Sequence, residues 1–276
     1  MIVGFFNEKD EEYFTRGGIS QTGLNWLRDS PAQYKYNLEH PPEETKAMIF
    51  GSAFHKAILE PEQFHDKYFI EPDVDGRTKA GKDAKIQAGI DNPGKKPLSQ
   101  KDYDTLVEMQ KSISGHLASM YLDGCGEREV SMFWDLHGLQ CRGKLDAVSR
   151  KQHIIVDLKT CDSVDISNVE RSAVNYGYHI QAAFYSDGYH LLKGERPEFY
   201  FIMVEKTAPY VVSLFKASLD FIYFGQRECE RLLNLYRWCI AHNEWHGPDF
   251  DIHSAQHLVR ELHPPIWATQ KFSEVI

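Results

Sequence analysis

Hydrophobic positions along the chain change period several times, and each change marks a different kind of element. Between 19 and 59 the apolar residues keep helical spacing. Leu24 and Leu27 fall on one face of a helix that starts behind Ser20 as N-cap, and Pro31 opens the turn that follows. Residues 47–59 form a second apolar helix with His55 near its centre, ended by Pro61. Residues 71–100 are rich in Gly, Pro, Lys and Asp and read as a long polar excursion. A further helix is expected over 100–121, with Leu106, Met109, Ile113 and Leu117 along one side.

From Glu129 the period drops to two. Residues 129–136 alternate as a strand, His137-Gly138 makes a tight turn, and 139–148 returns as a second strand. A turn over 149–153 leads into the continuous apolar run Ile154-Ile155-Val156, completing a three-stranded meander. Helices are expected over 165–175 and 178–192, strands over 199–204 and 210–215, and a long helix over 219–243. This order implies one α/β domain spanning 1–276, a mixed central sheet flanked by helices on both faces. No internal repeat or low-complexity segment interrupts it.

Composition narrows the class. The chain has 276 residues, 42% hydrophobic and 26% charged, which suits a globular protein with a sizeable core. No apolar run approaches the roughly 18–20 residues of a membrane span, and no basic-then-apolar leader opens the chain, so a cytoplasmic location without membrane contact is expected. The five cysteines (Cys125, Cys141, Cys161, Cys229, Cys239) include no CxxC pair, so reduced thiols are expected rather than a disulfide framework, a zinc site or an iron–sulfur cluster.

A net charge of −9 argues against a surface that grips nucleic acid everywhere. Contacts to DNA would have to be local, and the best local candidates are Arg77, Lys79, Lys82 and Lys85, followed by Lys95-Lys96. Asp73, Asp75, Asp83 and Asp91 dilute this stretch, so a solvated loop and helix face is the plain alternative.

The chemistry concentrates on the meander. Asp146 and Asp157 sit on adjacent strands joined by a short turn, so their carboxylates can converge at one sheet edge. Asp157 and Lys159 point the same way, while Leu158 points into the core and leaves its carbonyl near the same spot. Two carboxylates and a carbonyl are hard oxygen ligands, suited to magnesium or manganese. A lysine beside such a metal can orient the attacking water and offset charge at phosphorus.

By itself Asp157-Leu158-Lys159 also describes an ordinary strand end facing solvent. Three other features extend it. Gly51-Ser52-Ala53-Phe54-His55 lets a helix approach closely and supplies an imidazole. Gln181 and Tyr185 form an i, i+4 pair around small Ala182 and Ala183. Glu129 opens the first meander strand, where it could reach a second metal or act from outside the ligand shell; Glu127 competes for that role, and a solvated Glu129 is the plain alternative.

Taken in order, these residues resemble the nuclease core of the PD-(D/E)xK superfamily, in the branch with an added histidine and a QxxxY helix. Within that branch the chain is similar to the exonuclease VIII (RecE) nuclease domains, which share the helix start at 19–24 and a late segment at 262–267. The resemblance implies metal ligands at His55, Asp146, Asp157 and the Leu158 carbonyl, a catalytic Lys159, and a helix motif at Gln181 and Tyr185, with Glu129 in the catalytic set. It implies a magnesium-dependent 5′ to 3′ exonuclease that acts on linear double-stranded DNA ends and leaves 3′ single-stranded tails. It also implies a single-strand annealing recombinase as partner and a ring-shaped homo-oligomer, a tetramer. Relatives with an iron–sulfur cluster need four flanking cysteines, a spacing this chain lacks. An endonuclease of the same fold, a DNA-end-binding scaffold without turnover and a small-molecule phosphoesterase remain alternatives.

Overall fold

His137 and Gly138, at φ 52° and 85°, make the two-residue turn that joins the longest strands, the geometry that matches a hairpin's twist. The structure is a computed structural model that describes residues 1–264. Its main sheet has six strands, numbered β1 to β6 in chain order: Gly4–Phe6, Glu127–Leu136, Leu139–Ser149, Ile154–Cys161, Glu198–Glu205 and Val212–Lys216. They lie side by side in that same order. Every neighbouring pair is antiparallel except β4 and β5, which run parallel and are connected by helices Ile166–Asn175 and Tyr178–Lys193. The expected mixed sheet flanked by helices is therefore present.

Two layers cover the sheet. On one face, helices Lys46–Leu59, Gln100–Ser114 and Ala118–Gly124 share an apolar cluster with Ala147, Val156, Leu158, Ile202 and Val204. On the other, helix Tyr178–Lys193 lies against the meander, with Phe184 4.6 Å from the Trp134 ring and Tyr178 5.8 Å from the Phe201 ring. Gly188 permits this approach, since a Cβ there would stand 2.7 Å from the Trp134 indole.

The chain gathers into two compact units. The first comprises 1–25 and 42–230 and contains the sheet and both covering layers. The second comprises 26–41 and, among the described residues, 231–264. It includes helix Pro31–Glu39, the end of the long helix Leu219–His242 and a short ribbon of Phe250–Asp251 with Gln256–His257. Tyr34, buried in that unit, stacks on Trp245 with ring centroids 5.4 Å apart.

Several elements differ from the sequence expectation. The polar excursion over 71–100 contains helix Lys79–Asp91, whose N-cap Thr78 accepts from the Gly81 amide at 3.0 Å. Strands Tyr68–Ile70 and Lys96–Leu98 pair in parallel on either side of it. The helix expected over 100–121 stops at Ser114, with Gly115 as C-cap, and resumes at Ala118, leaving Leu117 exposed. The first fifteen residues hold strand β1 and helix Asp10–Thr15. No helix among the described residues is long and apolar enough to cross a membrane. Among the described residues no cysteine is in a disulfide, and four of the five are buried.

Candidate active site

Three acids align across three adjacent strands. The β2–β3 register pairs Arg128 with Ala147 and Val130 with Leu145, which sets Glu129 opposite Asp146. The β3–β4 register ends with Ala147 opposite Val156, so its next step sets Asp146 opposite Asp157. The regular ladder lapses at both steps. Glu129 has φ 51°, a left-handed backbone that a non-glycine residue rarely adopts, and it breaks the pairing there. At the second step the Leu158 amide donates to Asp146 Oδ2 at 2.7 Å in place of a backbone carbonyl.

Side chains from both covering layers meet this line. His55, from helix Lys46–Leu59, places Nδ1 3.3 Å from Asp146 Oδ2. Gln181, from helix Tyr178–Lys193, donates Nε2 to Asp157 Oδ1 at 2.5 Å. Lys159 Nζ lies 2.6 Å from Asp157 Oδ2. Asp157 is 2% exposed and Asp146 9%, an unusual depth for carboxylates and one that ties their charge to these partners.

Burial and mutual charge set the titration of the group. Burial, reinforced by the Asp146 charge, raises Asp157 to about 6 despite the neighbouring ammonium. Burial and Asp146 also raise Glu129. Burial pushes Asp146 the same way, but His55, Lys159 and the Leu158 amide outweigh it and hold the carboxyl below its ordinary value. Burial would lower His55 and Lys159. The adjacent Asp146 and Asp157 carboxylates overcome it and raise both.

His55, Glu129 and Asp146 each offer one ligand atom, and the three atoms lie within 4.8 Å of one another. One imidazole nitrogen and two carboxylate oxygens suit a divalent cation of the magnesium or manganese type. Asp157, expected among the ligands, stands outside this trio, with its two oxygens engaged by Gln181 and Lys159. Leu158 meets the site through its amide, which holds Asp146. Tyr185 packs on Gly143, where a Cβ would stand 2.5 Å from its ring. Its phenol is raised well above the ordinary value by burial.

Two participants had no assigned role in the sequence reading. Lys144 lies 3.0 Å from Glu129 Oε2 and also pairs with Asp10. Asp10 in turn receives Lys67 at 2.6 Å. Lys144 stands two residues before Asp146 on the same strand and therefore on the same side of the pleat, opposite to Gly143. Asp10, separated from the meander by more than a hundred residues, carried no signal. A cleft of about 1030 Å³ opens beside Glu129 and Lys144, with Lys56, Lys67 and Arg128 among its walls.

The expected DNA contacts have partners of their own or face solvent. Arg77 is paired with Asp75 at 3.1 Å and Lys85 with Glu71 at 2.6 Å. Lys79 and Lys82 are exposed in the first turn of helix Lys79–Asp91. Of the late segment 262–267, residues 265–267 lie outside the described residues.

A mixed sheet covered on both faces, with converging acids, a lysine two residues beyond one of them and a histidine from a covering helix, defines the PD-(D/E)xK nuclease fold. A family model for the PDDEXK-like domain of unknown function DUF3799 matches residues 20–249, and the chain belongs to that family. Among solved structures, a protein from Eubacterium rectale described as a "Putative exonuclease" aligns over 94% of this chain and 97% of its own, at 16% identity and a TM-score of 0.60. A second, SSO0001, aligns over 83% of this chain and 88% of its own at 14% identity, with a TM-score of 0.29. No curated protein sequence matches the chain.

Proposed function

We propose that this protein is a divalent-metal-dependent exonuclease acting on linear double-stranded DNA. The observation that carries the reading is the joining of a ligand trio, His55, Glu129 and Asp146, to the pair of half-buried Lys159 and buried Asp157 through the line of three adjacent strands. The trio would hold magnesium, with manganese as a substitute. A cation bound there supplies Lewis-acid stabilisation of the charge that develops on the phosphoryl oxygens and the leaving group.

The chain's own groups do the remaining work. Lys159, kept as an ammonium by Asp157 and Asp146, orients the attacking water and offsets charge at phosphorus. Asp157 holds Lys159 in place, Gln181 fixes Asp157, and the Leu158 amide fixes Asp146. Asp157 and the Leu158 carbonyl complete the ligand set on the exonuclease VIII reading. Tyr185 supports the strand that bears Asp146, and Glu129 belongs to the catalytic set through the trio.

The finer reading follows the exonuclease VIII resemblance: 5′ to 3′ polarity, 3′ single-stranded tails passed to a single-strand annealing recombinase, a ring-shaped homo-oligomer such as a tetramer, and a cytoplasmic setting. The similarity of fold to the Eubacterium rectale protein supports the exonuclease side over the endonuclease. Arg77, Lys79, Lys82 and Lys85 remain candidates for contact with the DNA backbone.

Digestion of duplexes labelled separately at each end, in magnesium, in manganese and in chelator, tests metal dependence and polarity together. Release of nucleotides from the 5′-labelled end only with metal is expected. Efficient cutting of covalently closed circles would move the reading to an endonuclease, and full activity in chelator would remove the metal from it.

A further inference from the structure

The loop that follows Lys159 and the helix that comes next enclose a cleft of about 410 Å³, within the size range of small-ligand sites. Thr160, Ser163, Asn168 and Ser172 line it with hydroxyl and amide groups, and Tyr176 and Tyr178 form an aromatic wall. The two phenol rings stack with centroids 5.9 Å apart and 29° between their planes. Tyr178 also carries Lys159 over its ring, with Nζ 5.1 Å from the centroid, so this wall joins the reacting lysine.

Tyr176 is 63% exposed. Its position is built into the backbone. Gly177, at φ 72°, turns the chain sharply between the two tyrosines, and Asn25 Nδ2 donates to the Tyr176 carbonyl at 3.0 Å. A Cβ on Gly177 would stand 2.3 Å from Asn25 Oδ1. The turn therefore presents a fixed ring to solvent at the mouth of a polar cleft.

We propose that this cleft is a nucleobase subsite, in which an unpaired base of the strand being cut stacks on Tyr176 while Ser163, Asn168 and Ser172 offer hydrogen bonds to its edge. The proposal rests on the nuclease reading, because the cleft gains its position from Lys159. A stacking platform accepts every base, since each has a π face, and hydroxyl and amide groups can donate to or accept from the edges of purines and pyrimidines alike. Such a platform would hold a terminal nucleotide frayed from its partner and keep its phosphate beside Lys159.

The test uses the full chain and duplexes carrying 2-aminopurine as the terminal base or ten base pairs inward, with binding followed in chelator. Quenching of the terminal probe is expected. Tyr176→Ala should weaken binding of a frayed end about tenfold and remove the quench, while Tyr176→Phe retains both. Because Tyr176 is exposed, the alanine variant should keep the wild-type circular dichroism. Metal-dependent hydrolysis by the wild type, combined with an unchanged affinity and quench in Tyr176→Ala, would overturn the subsite and leave the nuclease reading standing. Absence of both hydrolysis and DNA binding in the wild type would overturn the two together.

Discussion

Gln181 donates to Asp157 across a 2.5 Å hydrogen bond, and it does so from the sheet face opposite the helix that carries His55. The Asp157 carboxylate is thereby fixed at one oxygen by an amide and at the other by Lys159. Without the amide, a buried carboxylate would keep its charge partner and lose its orientation. Gln181→Ala is therefore expected to lower kcat by roughly 10- to 100-fold with a small change in KM, the size of effect usual for groups that orient a metal-site residue. Steady-state kinetics on linear duplex checks it. A loss confined to KM would place Gln181 in DNA binding.

Metal should stabilise the folded protein. Binding to the native trio alone, at a concentration about 100 times the dissociation constant, is worth about 2.7 kcal/mol, and for a chain of this size it raises Tm by roughly 5 °C. Thermal unfolding with manganese should show this rise in the wild type and little of it in His55→Ala or Glu129→Gln. If Asp157→Asn abolished the shift and Glu129→Gln kept it, the ligand set would be centred on Asp157, as the exonuclease VIII resemblance implies.

The meander and its turns were legible in the sequence because two-residue periodicity and the His137-Gly138 pair leave few alternatives. The neighbourhood of Asp146, Asp157 and Lys159 followed from strand adjacency alone. Glu129's place beside His55 and Asp146 was harder to read, because it depends on a left-handed residue near the start of a strand, and no propensity marks a glutamate for that. Helix Lys79–Asp91 was hidden by its composition: its lysines, glycines and aspartates resemble a loop, and the Thr78 cap gives the only local sign of a start. Asp10 reaches the site through Lys144, a contact that pairwise spacing cannot reveal.

Gly143 exists to admit a ring. A Cβ at this position would lie 2.5 Å from Tyr185 Cε1 and 2.9 Å from Cδ1, and Tyr185 is buried with little room to withdraw. Gly143→Ala should destabilise the fold by about 1 to 3 kcal/mol through overpacking, measured by chemical denaturation. Because the clash requires the ring, Gly143→Ala combined with Tyr185→Ala should lose less than the two single changes added together. Additive losses would show that the alanine is resisted by something other than Tyr185.

Asp10 links the N-terminal helix to Glu129 through Lys144, and its pH signature distinguishes that link from a surface pair. Burial would raise its carboxyl, but Lys144 and Lys67 bonded to it hold it well below its ordinary value. A carboxyl lowered on folding stabilises the native state above its unfolded pKa, and that contribution disappears as pH falls toward the folded value. With Asp10 about half buried, the gap between wild type and Asp10→Asn should be about 1 to 2 kcal/mol at neutral pH, after allowance for solvent screening. It should be constant above about pH 5 and narrow progressively below about pH 4, near the unfolded aspartate value. Asp10→Asn also leaves Glu129 as the acid paired with Lys144, so the lysine competes more strongly for the carboxylate a metal would need. The variant should therefore bind manganese several-fold more weakly by calorimetry at pH 7. A stability gap that stayed the same down to pH 2, together with unchanged metal affinity, would mean that Lys144 holds Glu129 without help from Asp10.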